Sequence, residues 1–133
     1  MCLITDRGKW MVADDDIVCY KVLRLNRKNN HFYTPFRNTL VSDAIVEGKR
    51  EFVADGIAEF MPHAHDNLGI PVGYSVGVGA IHTYANREVA KRYIGPDETI
   101  RKCIIPKGTE FVFGHDDFNC DGFAAKMIKF VNE

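Results

Sequence analysis

AIHTYANREVAKRYIGPDETIRKCIIPKGTEFVFG, residues 80–114, carries a separate local signal for each of five successive elements. Ala80–Tyr84 reads as a strand. Asn86 is placed to accept hydrogen bonds from the free backbone N–H groups of a helix it opens. Glu88 sits in the first turn, where a negative charge suits the helix dipole. Val89, Ala90 and Tyr93 form a core-facing stripe, Lys91 and Arg92 occupy the last turn, and Gly95-Pro96 stops the helix. Thr99–Ile105 is a strand, Pro106-Lys107-Gly108 a tight turn, and Thr109–Phe113 the returning strand.

Outward from this segment the signals weaken. Upstream, Ile17–Leu25 (IVCYKVLRL) is a strand rich in Val, Ile and Tyr, in which Lys21 interrupts a mostly buried run. NRKNN (26–30) is a polar turn, and HFYTPF (31–36) returns as a hairpin arm whose end Pro35 confines to an edge. MCLIT (1–5) reads as a short edge strand. Residues 37–79 lack clean periodicity; 51–60 fits a strand pair or a short helix, and PHAHDNLGIPVG (62–73) fits a loop. Downstream, HDDFNCDG (115–122) reads as a loop and Phe123–Val131 as a closing strand.

The chain has 133 residues, which suits a single domain over 1–133. Its 17 Lys+Arg balance 18 Asp+Glu, which provides no electrostatic case for nucleic acid or an anionic membrane. Four cysteines are too few for a disulfide scaffold, and no apolar run approaches the ~20 residues of a membrane span. The expectation is a soluble, cytoplasmic protein with reduced thiols. The fold expected is α+β: a twisted, mostly antiparallel sheet of roughly five to seven short strands, with one main helix at about 86–94 packed on it.

GAIHTYANREVAKRY, IRKCIIPKGTEFVFG and AAKMIKFV, with CYKVL (19–23) and YTPF (33–36), resemble a set of small uncharacterised proteins of bacteria and their phages. That resemblance implies a shared fold and no particular activity. A weaker one is to ADP-ribosyltransferase folds, carried by the order of Tyr20-Lys21, His82-Thr83-Tyr84, the helix from Asn86 to Tyr93, and Cys103–Phe113. It implies an NAD site and a catalytic glutamate about four residues before Pro106. Lys102 stands there instead, where a carboxylate is needed to stabilise a cationic sugar-like transition state.

Other groups carry weaker chemical suggestions. His82 and Tyr84 share one face of a strand, and with Tyr20 and Tyr33 they form a candidate groove for a planar ligand. Buried aromatics with satisfied hydroxyls are the commoner outcome. His63, His65 and Asp66, with His115, Asp116 and Asp117 as further candidates, have metal-like residue types but no spacing that sets a third or fourth ligand. Gly73, Gly77 and Gly79 could shape a ligand loop, although a strand and not a helix start follows them. Cys2 would become an N-terminal nucleophile after methionine removal, yet the residues after it are not those of such amidotransferases. Cys19 and Cys103 read as buried, inert thiols, and Cys120, in a polar loop, as the cysteine best placed to react, with no His or Asp partner tied to it by spacing.

No acid–base pair stands at motif spacing. The sequence therefore points to a non-catalytic binding or regulatory module, of the kind a phage accessory or inhibitor protein would be, acting on a protein or a small ligand. No cofactor is expected unless the transferase resemblance holds, which would bring NAD. An oligomerising component is the remaining alternative.

Overall fold

The computed structural model describes residues 3–6, 8–56, 58–77, 79–116 and 120–132. Cys2 and Asp117 lie outside these. Along the described chain run β1 (Leu3–Thr5), β2 (Met11–Val12), β3 (Ile17–Asn26), β4 (His31–Tyr33), β5 (Leu40–Val41), α1 (Asp43–Val46), β6 (Phe52–Val53), β7 (Phe60–His65), β8 (Pro71–Val76), β9 (Ile81–Tyr84), α2 (Arg87–Lys91), β10 (Glu98–Ile105), β11 (Glu110–His115), β12 (Asp121–Ala125) and β13 (Met127–Phe130). The strands join in the order β6-β13-β10-β3-β9-β12-β11-β1-β8-β7. Beside this path β2 pairs with β11, β4 with β3 and β5 with β4. The pairings are antiparallel.

The expected α+β architecture with one main helix is overturned. Strand accounts for 49% of the described residues and helix for 7%. The expected helix exists only as the five residues of α2, although its start is as read: Asn86 Oδ1 accepts from the Val89 N–H at 2.8 Å. Gly95-Pro96 lies too close to the cap for a second turn to propagate. The strand number exceeds the expected range for two reasons. Several strands have only two or three residues and no readable period. The expected loop at 62–73 is largely a hairpin, β7–β8, closed by a turn in which Asp66 Oδ1 accepts from the N–H groups of Leu68 and Ile70. Pro62 is tolerated because β7 is an edge strand, and Pro71 because it opens β8.

The closing strand expected at 123–131 is divided. Lys126 alone separates β12, which pairs with β11 and β9, from β13, which pairs with β10 and β6. Two strands four places apart in the sheet order are thereby placed end to end, so the sheet must curl around what lies between them. That interior is the larger core, built on Cys19, Leu23, Ile81, Cys103, Ile128 and Phe130. A smaller core of Leu3, Val76, Ala80, Val112 and Ala124 lies elsewhere on the sheet. Neighbours on a strand point to opposite faces, and Ala124 joins the smaller core while Ala125 joins the larger. β12 is thus covered on both sides. Gly114 and Gly122, which face each other across β11 and β12, permit the tight crossing of neighbouring strands. A Cβ on Gly114 would collide with the Ile4 carbonyl, and one on Gly122 would lie 2.5 Å from the Thr83 carbonyl.

Candidate ligand-binding cleft

β3 and β9 are paired at a single position, Tyr20 opposite Tyr84. Beyond it the strands part, and the gap becomes a cleft of about 180 Å³. Lys21 and Val22 of β3 form one wall, and Gly79–His82 and Tyr84 another. The loop Thr34–Thr39 and the segment Phe52–Asp55 complete it.

Each wall has a local cause. Thr34 and Thr39 close a turn between β4 and β5, with the Thr39 N–H donating to Thr34 Oγ1 at 3.0 Å and the Asn38 backbone in the left-handed region (φ 56°). Asn38 suits that position, since its short amide side chain tolerates left-handed φ better than most. This turn holds Phe36 at the rim, 70% exposed. Arg37 Nη1 meets Asp55 Oδ1 at 3.0 Å, tying the turn to the segment after β6. Gly79 lies close against Gly56, where a Cβ on the latter would come within 3.3 Å of its Cα. The glycine run that suggested a ligand loop thus includes one cleft residue, Gly79, packed close to backbone.

Lys21 alternates with Cys19 and Leu23, both buried, and so faces inward. Its Nζ donates to the His82 carbonyl oxygen at 2.8 Å, supplying across the gap the bond that the parted strands no longer make. Burial pushes the Lys21 amine down to about 8, partly offset by the nearby Cys103 and Cys19 thiols. Among the described residues no carboxylate pairs with it. About nine-tenths of the amine is therefore charged at pH 7, and about a tenth is free base.

His82 is neutral at that pH. Burial pushes it down to about 4; its bond to Gly77 opposes the shift and the Lys21 charge adds to it. Its Nε2 lies 3.1 Å from the Gly77 carbonyl oxygen, which can only accept, so Nε2 carries the proton. Nδ1 is left as a buried acceptor with no partner among the described residues.

The sequence-derived groove is thus rearranged. His82 and Tyr84 line the cleft, and Tyr20 does not, although it stands opposite Tyr84. Tyr20 instead lies under the Arg87 guanidinium, 5.1 Å from its ring centroid, and the Tyr84 ring stacks on Tyr93. Burial pushes the Tyr84 hydroxyl up to about 12. Tyr33 sits on the β4 hairpin, its hydroxyl accepting from Asn29 Nδ2 at 2.8 Å, and is not among the cleft residues.

The other candidates lie apart. His63 and His65 are exposed on β7, where register shifts on both sides of Ala64 disturb the alternation that would align their rings. The Asp66 carboxylate is engaged in its turn. Among the described residues no group of three or more His, Cys, Asp or Glu is placed to hold a metal ion. Cys120 is buried and not exposed, with its Sγ 3.1 Å from the Tyr93 hydroxyl. Cys19 and Cys103 are buried as read, directly opposite each other on β3 and β10, with their sulfurs 3.2 Å apart.

Lys21, Phe36 and Asp55 were not singled out as site residues. One signal was available: a lysine at an inward position of an otherwise apolar strand. Lys102, at the place where the transferase resemblance asks for a glutamate, pairs with Tyr20. Lys102, Tyr20 and Tyr84 thus occupy one row across β10, β3 and β9. No helix among the described residues is long and apolar enough to cross a membrane. No protein-family model, curated protein or solved structure matches the chain.

Proposed function

We propose that the chain is a small-ligand-binding module, with its ligand in the cleft between β3, β9, the 34–39 turn and the segment after β6. The observation that carries this reading is an inward lysine amine, free of any described carboxylate partner, at an otherwise mainly apolar recess. The volume of about 180 Å³ suits a single ring, since an engineered apolar cavity of about 150 Å³ takes benzene. The fitting ligand class is a small ring-sized molecule bearing a carboxylate or similar acceptor. Its ring would displace water from the walls and pack under Phe36, and its acceptor would take the remaining N–H donors of Lys21. In this reading the compartment is the cytoplasm, which keeps thiols reduced. A transferase reading gains nothing from the Lys102–Tyr20–Tyr84 row, which carries a cation where that chemistry needs a carboxylate.

Benzoate is a direct probe. Its proton signals should broaden on adding the protein, with Phe36→Ser weakening the effect by about fivefold. Leu68→Ser, on the exposed β7–β8 turn, should leave it unchanged. Equal weakening by the two variants would place the binding on general surface and sink the cleft reading.

A further inference from the structure

We propose that Lys21 captures small aldehydes and ketones in the cleft as a reversible Schiff base, an inference that rests on reading this cleft as a ligand site. Lys21 lines the cleft together with the mainly apolar side chains around it. Among the described residues its one hydrogen bond, to the His82 carbonyl at 2.8 Å, anchors one N–H and fixes where the nitrogen sits. Lys91, Lys49 and Lys126, by contrast, are each held to a glutamate. The groups facing the Lys21 amine are two thiols, Cys19 and Cys103, and the neutral His82; the Arg37–Asp55 pair lies at the rim. Arg101, opposite Lys21 on β10, is turned away over the Phe32 ring at 5.6 Å.

Burial raises the share of free amine, against the pull of the two thiols, and the free amine is the reactive form. Its lone pair attacks the carbonyl carbon, a C–N bond forms, and the carbonyl oxygen takes a proton to give a carbinolamine. Loss of the hydroxyl as water, with the nitrogen's remaining proton, leaves C=N. Amine plus carbonyl thus becomes imine plus water, with no change of oxidation state and no further reactant. A ring that fills the recess displaces water from its walls, which disfavours the return hydrolysis.

The test is reductive trapping. The wild-type protein is treated with limiting benzaldehyde and sodium cyanoborohydride near pH 7.5, digested, and the benzylated lysines quantified by mass spectrometry. Lys21 should be alkylated about tenfold or more faster than the exposed Lys28 and Lys107. Excess benzoate should slow Lys21 alone. Alkylation of Lys21 no faster than that of the exposed lysines overturns the proposal. Should benzoate bind in the cleft while Lys21 shows no preference, the ligand site stands and the carbonyl chemistry falls. Preferred alkylation of Lys21 without benzoate binding would support the carbonyl chemistry and remove the carboxylate reading.

Discussion

The Lys21 amine and the His82 carbonyl, 2.8 Å apart, bridge the point where β3 and β9 separate. One hydrogen bond joins two residues whose charged forms are both disfavoured by burial. Stability should therefore depend on pH at both.

His82 has a folded value of about 4 against an ordinary 6.5. Between these values the unfolded chain binds more protons than the folded one, so stability falls as pH drops through that window. Denaturant unfolding should show a loss of about 2 kcal/mol from this group between pH 8 and pH 5. In His82→Gln that part of the loss should vanish. An equal loss in the variant would mean that His82 is not held neutral.

Lys21 has a folded value of about 8 against an ordinary 10.5. Here too the unfolded chain binds more protons between the two values, so this group's contribution to stability rises with pH across that window. Thiols titrate in the same range, so the comparison has to be with Lys21→Met. Between pH 7 and 9 the wild type should gain about 1 kcal/mol relative to that variant. A constant difference between the two curves would show an amine open to water.

Asn86 and Gly108 show what was legible. The cap at Asn86, the turn at Gly108 (φ 87°) and the β3–β4 hairpin with Asn30 at φ 62° are local devices, each settled by a few neighbouring residues. What stayed hidden depends on partners far along the chain. Pro62 and Pro71 suggested a loop because their tolerance depends on β7 being an edge and on Pro71 opening β8. The change of direction at Lys126 has no breaker residue; β13 leaves because β10 and β6 receive it. The cleft joins residues from four separate stretches between Lys21 and Tyr84, so the sequence marks only His82 and Tyr84 on β9 as sharing a groove, and Lys21 only as a charge inside an apolar strand.

Gly114 is a sharper case of such hidden constraint. Gly114→Ala places its methyl group on the Ile4 carbonyl, and backbone cannot yield as a flexible side chain can. A cost of about 3 kcal/mol is expected, visible as a large drop in the denaturant midpoint. Gly69→Ala makes the fitting comparison: its φ is +77° but nothing lies within 4 Å, so only backbone strain of about 1 kcal/mol applies. Equal costs at the two sites would contradict the close crossing at Ile4.

Cys19, Cys103 and Cys120 are all buried, so iodoacetamide should leave them unmodified in the native protein and label them once it is unfolded. Labelling of native Cys120 at the rate of a free thiol would restore the exposed position its polar neighbours suggest.

A benzoate titration followed by ¹H–¹⁵N NMR tests the central claim most directly, because the chain also exposes apolar surface at Met61, Leu68, Ile70 and Val72 on the β7–β8 arm. Saturable amide shifts are expected at Val22, Thr39, Ala54, Ala80 and Ile81, with the β7–β8 arm unmoved. Shifts confined to that arm, or spread evenly over the surface, would contradict the assignment of the cleft as the ligand site.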